Sequence, residues 1–352
     1  MSTTRLHRVG IADVAQAAGV SKTAVSFAFN SPERLNDETA ARIRLIADEL
    51  GYRPDPVARM LTQGRTRTIG ILTPQPLAVV FSNPFFGELS AGIGLAAEAA
   101  GFGVYLISPL HGSLAQAVSR ASVDGLVAIG LSSGHSEIEQ VRRTGLPIVL
   151  VDSLAMPEHS SVTIDDAAGA RAAASHLLEL GHRSFLVIAV EPPMSLVDPS
   201  PDSVTALRLG GYRSALAESG VSLLDDQVET GSATVAGGAA AFARAWARGL
   251  RPTAVLAMSD AMAIGVLRAA DELGLRVPAD LSVIGFDDVD MAAFVNPPLT
   301  TVHQPVRQKG EDAVRLLLAA IEHRAPEHEQ LRLETHIVVR ASTGPAPHST
   351  GR

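Results

Sequence analysis

The chain has 352 residues, 46% of them hydrophobic, with a formal net charge of -8 at pH 7 and no cysteine. At about 150 residues per domain this length holds two or three domains, and the apolar share excludes global disorder. Without thiols there are no disulfides and no thiolate metal sites. Separately, the chain contains no H-E-x-x-H pattern, and no metal or other cofactor is expected.

The chain opens basic. Residues 1–67 hold ten Lys/Arg against seven Asp/Glu, a net +3, while the remainder holds 19 against 30, a net -11. A small basic head on an acidic body suits a protein whose head alone meets phosphates. Met1 to Val9 carries Arg5 and Arg8 with no apolar run behind them. No later segment approaches the roughly 18 apolar residues of a membrane helix, so a cytoplasmic protein with no membrane association is expected. Lys22 and Lys309 are the only lysines, a bias that fits a GC-rich genome.

Ile11, Val14, Ala15 and Ala18 fall at i, i+3, i+4 and i+7 and make one apolar helix face. Gly19 supplies a tight turn, and Ser21 is placed to cap a second helix. On that helix Ala24, Val25 and Ala28 point inward. A step of about 100° per residue sets Thr23, Ser26, Phe27 and Asn30 on the opposite side, with Lys22 at its edge. Asn36 caps a third helix whose Ala40, Ile43, Ala47 and Leu50 face the same core, and Gly51 stops it. Two short helices about a glycine turn, braced by a third, form a helix-turn-helix whose second helix would enter the DNA major groove. A three-helix bundle that binds a protein or nothing is the alternative. Gly51 to Arg67, with Pro54, Pro56 and Gly64, reads as a linker with one short helical possibility at Val57–Leu61.

From Thr68 onward the period changes. Short apolar runs at Thr68–Leu72, Val104–Ser108, Gly125–Ile129, Pro147–Asp152, Phe185–Ala189, Ala254–Met258 and Leu281–Phe286 read as strands. Helical patterns lie between them at Phe86–Ala100, Ala167–Leu180, Ala206–Ser219, Ala236–Arg248, Asp260–Leu273 and Val306–Glu322. Such alternation means parallel sheets covered by helices on both faces, and about 280 residues suit two lobes better than one open sheet. Trp246 reads as a core residue and His182 as a structural or capping one.

The stretch Asp13-Val14-Ala15-Gln16-Ala17-Ala18-Gly19-Val20-Ser21-Lys22, with Val25-Ser26 and Asn30, resembles the head of the lactose/galactose repressor family of bacterial transcription regulators. So do Leu50-Gly51-Tyr52-Arg53-Pro54 and Val57-Ala58-Arg59-Met60-Leu61, and the likeness runs on to Arg340-Ala341-Ser342-Thr343-Gly344-Pro345. The resemblance implies an all-α helix-turn-helix head over 1–53, a hinge helix and linker over 54–67, and a two-lobed α/β body over 68–345 of the type I periplasmic-binding-protein fold. Its first lobe would take about 68–165 and 300–325, its second about 166–299 and 326–345, leaving a tail at 346–352. It implies a repressor that binds a palindromic operator in double-stranded DNA as a homodimer, under control of a small-molecule effector, a sugar or related metabolite.

Carried over by position, the resemblance makes Lys22, Thr23 and Phe27 base-reading residues. It places Ser21, Ser26 and Asn30 on the DNA backbone. Ala58 and Leu61 would sit in the hinge, with Leu61 wedged into the minor groove. Phe27 departs from the family, which usually has arginine there. An aromatic ring touches a thymine methyl but cannot fork onto guanine, so a different preference is expected at that base pair. In the body, Phe86, Asp152, Arg208 and Asp287 match the family's effector positions. Ala233 stands where an aromatic ring is common.

Two enzyme-like motifs compete. Gly130-Leu131-Ser132-Ser133-Gly134 fits the hydrolase G-x-S-x-G elbow with Ser132 as nucleophile, but five-residue matches are common in a Gly/Ala/Ser-rich chain. Gly92-Ile93-Gly94 imitates a dinucleotide fingerprint inside a helix, not after a strand. Asp165-Asp166 and Asp287-Asp288 read as loop carboxylates with nothing to mark an acid/base pair. No enzymatic activity is expected. A small-molecule binding protein without a DNA role is the other alternative, and it leaves residues 1–61 unexplained.

Overall fold

The computed structural model describes residues 9–53, 64–131, 137–153, 158–190, 203–322 and 328–347. The chain divides into two compact units, Met1–Thr66 and Arg67–Arg352. Ala58, Leu61 and Ser132 lie outside the described residues.

The first unit contains α1 (Ile11–Ala18), α2 (Lys22–Asn30) and α3 (Asp37–Glu49). Gly10 has no side chain to cap α1, so Asp13 reaches back and accepts from the Gly10 N–H at 2.8 Å. Gly19 ends the helix at φ +65°, a left-handed conformation that glycine adopts without a Cβ clash. The side chains of Ser21 and Asn36 accept from the N–H groups of Ala24 and Glu38 and so cap α2 and α3. Val14, Val25, Ala28, Ile43 and Ala47 form the core. Ala24 is half-buried and packs against this core as expected. One expectation needs correction: Leu50 is 38% exposed because α3 closes one residue earlier and the chain turns at Gly51. Tyr52 fills the place instead, packing on the core with its ring 5.9 Å from that of Phe29.

The second unit carries two six-stranded sheets. The first has the order β11-β5-β4-β3-β1-β2 and the second β12-β10-β9-β8-β6-β7. The first sheet comprises β1 (Thr68–Leu72), β2 (Gly103–Ile107), β3 (Gly125–Ile129), β4 (Ile148–Val151), β5 (Ser160–Ile164) and β11 (Gln330–Leu333), all paired in parallel. The second comprises β6 (Phe185–Val190), β7 (Val228–Gly231), β8 (Ala254–Ala257), β9 (Ser282–Asp287), β10 (Thr300–His303) and β12 (His336–Val338), the last antiparallel to β10. Central strands are apolar throughout because both faces are covered. In β3, Val127 and Ile129 meet one helix layer while Leu126 and Ala128 meet the other.

The helices of this unit are α4 (Leu77–Ser82), α5 (Pro84–Ala99), α6 (Leu114–Arg120), α7 (Ile138–Arg142), α8 (Asp166–Glu179), α9 (Val204–Glu218), α10 (Val235–Ala247), α11 (Asp260–Glu272) and α12 (Val306–Ile321). Helices α5 and α12 cross backbone to backbone. A Cβ built on Gly92 would lie 2.1 Å from the Arg307 carbonyl oxygen, and one on Gly310 would lie 2.5 Å from that of Leu89. Glycine is therefore required at this crossing. Trp246 is half-buried at the rim of its cluster, under the Arg251 guanidinium at 3.9 Å. His182 is fully buried, with Nδ1 on Thr253 and Nε2 on Ser282 and the Gly344 carbonyl, each at 3.0 Å.

The chain passes between the sheets at Asp165, at Gln304–Pro305 and between β11 and β12. The lobe limits expected from sequence are corrected accordingly. Thr300–His303 belongs to the second sheet, pairing with β9, and Gln330–Leu333 belongs to the first, pairing with β5. Only α12, between them, packs in the first lobe as expected. Among the described residues no helix is long and apolar enough to cross a membrane, and no cluster of three or more His, Asp or Glu side chains could hold a metal ion.

Candidate functional site

On the outer side of α2, Ser21, Lys22 and Thr23 are exposed, while Ser26, Phe27 and Asn30 are half-buried. Asn30 Nδ2 donates to Ser26 Oγ at 3.4 Å. Phe27 lies outside the apolar core, and its ring stands 5.3 Å from the Arg34 guanidinium, a cation that sequence reasoning passed over. The first turn of α2, with Lys22 and Thr23, presents unpaired backbone N–H groups of the kind that hold phosphate.

In the second unit a cavity of about 150 Å³ opens at the carboxyl ends of the strands, bounded by residues of both sheets. Phe86, Asp152, Arg208 and Asp287 all line it, and so does Ala233. Asp152 follows β4 at φ +49°, and Asp287 ends β9 at φ +127°. These are conformations that non-glycine residues rarely adopt, and both residues line the cavity. Asn83 and Ser259 also line the cavity and cap α5 and α11.

Behind the lining runs a chain of buried polar groups that sequence reasoning missed. Lys309 Nζ donates to Asp152 Oδ1 and to Gln304 Oε1. Gln304 Nε2 donates to Asp287 Oδ1 at 2.6 Å. Arg208 Nη1 is 3.8 Å from that same oxygen and donates to the Met258 carbonyl at 2.5 Å. Arg208 Nε donates to Asp166 at 2.8 Å, and the guanidinium stacks 3.5 Å from the Phe286 ring centroid. Asp166 is thus no loop carboxylate but a buried partner of Arg208 in the first turn of α8. Lys309 had a sequence signal: it falls on the apolar face of α12 with Val306, Ala313 and Leu317, where a charge demands a partner.

Burial, only partly offset by Arg208, pushes the Asp287 carboxyl up to about 8. Burial likewise raises Asp166 and takes Asp260 to about 6. Burial opposes the charge of Arg208, but Asp166 and Asp287 outweigh it and hold the guanidinium above its ordinary value. Asp260 accepts from Thr301 Oγ1 at 2.5 Å and from the Val289 N–H at 2.9 Å.

A helix-turn-helix unit joined to a two-sheet α/β unit of this topology defines a class of DNA-binding regulator. Residues 10–55 match the family described as bacterial regulatory proteins, lacI family, and residues 174–343 match the periplasmic binding protein-like domain. The chain is 32% identical to the HTH-type transcriptional regulator CelR of Thermobifida fusca, over 96% of this chain and 99% of the other. It is 31% identical to the ribose operon repressor of Escherichia coli K12, over 94% and 98%. The chain belongs to the lacI family of transcription regulators. Among solved structures, the lac repressor dimer bound to operator and the anti-inducer ONPF superposes with a TM-score of 0.78 at 28% identity, covering 96% of this chain and 99% of that one. The CelR–cellobiose complex superposes at 0.70 with 31% identity, covering 95% and 100%.

Proposed function

We propose that this protein is a repressor that binds a palindromic operator as a homodimer and releases or tightens its grip when a sugar occupies the interlobe cavity. The observation that carries the reading is the convergence of Phe86, Asp152, Arg208 and Asp287 on one cavity bounded by both sheets. Carboxylates accept from sugar hydroxyls, the guanidinium donates to them, and the Phe86 ring covers an apolar sugar face. The relative CelR has been solved with cellobiose, and a lacI-family regulator of Enterococcus faecium with ribose. These complexes support a sugar here as well.

On the DNA side, Lys22, Thr23 and Phe27 read base edges while Ser21, Ser26 and Asn30 hold the backbone. Ala58 and Leu61 act in the hinge, Leu61 as the minor-groove wedge. A two-fold dimer reads a palindrome, and several large apolar side chains of the body are left outside, as a pairing surface needs. They include Tyr105 on the edge strand β2, Leu95 on α5, and Met291 and Phe294. A ligand that binds two lobe arrangements unequally shifts their balance, and a differential affinity of about 2–4 kcal/mol changes operator affinity roughly 30- to 1000-fold. The test is selection of bound duplexes from random DNA with the purified protein, repeated with a panel of sugars. Recovery of a two-fold symmetric site whose retention changes with one sugar is expected. No enrichment under any condition would overturn the reading.

A further inference from the structure

We infer that the cavity takes an uncharged polyhydroxylated ligand and discriminates against sugar phosphates and sugar acids; this rests on the sugar-binding reading above. Among the described residues lining or backing the cavity, Arg208 and Lys309 carry positive charge, and both are already committed to acidic partners. Arg208 is held by Asp166, Asp287 and the Met258 carbonyl with its face on Phe286. Lys309 is held by Asp152 and Gln304, its Nζ 6.0 Å from the Phe85 ring centroid.

Three carboxylates thus meet two cations, and Asp260 stands close behind Asp287. With Asp287 protonated the five side chains sum to zero, and with it ionised they sum to -1. Either way a phosphate would add negative charge to a buried site with no cation left to pair it, which is strongly unfavourable. The N-termini of α5 and α9 at the cavity hold no acid in their first turns, but they are capped by Asn83 and Ser203 and bring only partial positive charge. Two further N-termini are already acidic. Asp166 and Asp260 occupy the first turns of α8 and α11, where they already complement the helix dipoles. The segments that follow β3, β4 and β6 in the chain, residues 132–136, 154–157 and 191–202, contain no Lys or Arg. What the lining does offer is neutral: Thr73, Gln75, Asn83 and Ser259 beside the paired carboxylates. Such groups match hydroxyls.

The test uses the full-length protein and matched pairs: D-glucose with D-glucose 6-phosphate, D-ribose with D-ribose 5-phosphate, D-galactose with D-galacturonate. Thermal unfolding and calorimetric titration report binding. In each pair that binds, the neutral member should bind at least about tenfold tighter, or about 1.4 kcal/mol. Equal or tighter binding of the charged member overturns the inference while leaving the cavity a sugar site. If no neutral sugar or glycoside binds at all, the sugar-binding reading itself falls. A second arm uses inorganic phosphate and Asp152→Asn, which removes the carboxylate from Lys309. Phosphate should raise the unfolding midpoint of Asp152→Asn but not that of wild type, and the gain should vanish in Asp152→Asn with Lys309→Met. A phosphate-dependent rise in wild type that a bound neutral sugar abolishes would show an uncommitted cation and overturn the inference.

Discussion

Arg208 and Asp166 meet through a 2.8 Å bond from Nε to Oδ1, with both side chains almost wholly removed from solvent. Breaking such a pair from one side strands a buried charge, at about 3–5 kcal/mol. Arg208→Ala is therefore expected to lower the unfolding midpoint and abolish the sugar response while DNA binding persists. Arg208→Met combined with Asp166→Leu should regain most of the stability and none of the sugar response. Midpoints and sugar titrations of wild type and the two variants provide the check; a fully stable Arg208→Ala would contradict the buried pairing.

Asp287 gives stability a pH dependence of known sign. The folded protein keeps this proton up to about 8, whereas the unfolded chain releases it near the ordinary value of 3.8. Between those values the native state binds the extra proton, so the contribution is fully present below about 4 and is lost as pH rises to about 8. Asp287→Asn should flatten that part of the profile. Unfolding midpoints across the range, wild type against variant, provide the check, and parallel profiles would refute it.

Phe27 stands on the outer side of α2 beside Arg34 rather than in the core. Phe27→Arg should move the preference of the facing base pair toward guanine, by about 1–3 kcal/mol in discrimination. Lys22→Ala should weaken binding to the selected site. Parallel selections with wild type and Phe27→Arg read the change, and an unchanged consensus would mean that the ring does not face a base.

Gly310→Ala places a methyl 2.5 Å from the Leu89 carbonyl oxygen at the α5–α12 crossing. Separating two packed helices costs about 1–3 kcal/mol, so the midpoint should fall. Gly87→Ala, also on a helix but with nothing within 4 Å of the new methyl, is the control and should be neutral or stabilising by up to about 1 kcal/mol. Equal effects at the two positions would exclude the close crossing.

The central strands and long helices were legible because burial on two faces writes itself as unbroken apolar runs, as in Gly125–Ile129 and Phe185–Val190. Of the four edge strands only β2 was, and β5 and β10 beside two of the others were missed as well. β7 reads Val-Glu-Thr-Gly, with two adjacent polar residues, and β11 reads Gln-Leu-Arg-Leu, polar at alternate positions. Missing them misplaced the lobe boundaries, since β10 and β11 exchange sheets around α12. In the cavity the four lining residues came from resemblance by position, and the structure brings all four together. The supporting polar chain was hidden because Asp166 lies far in sequence from Gln304 and Lys309, and they meet only where the chain passes between lobes.

Those passages also set an order of completion during synthesis. Each sheet receives an edge strand made after α12, β11 for the first and β12 for the second. The segment just after β12 is stitched into the second sheet by Ser342, which accepts from the Thr300 N–H and donates to the Val283 carbonyl. A ribosome-bound chain can therefore finish the helix-turn-helix early, yet both large sheets lack an edge strand until β11 and β12 have emerged. Termination between Pro298 and Gln330 would leave a head able to fold on a body whose two sheets each lack an edge strand.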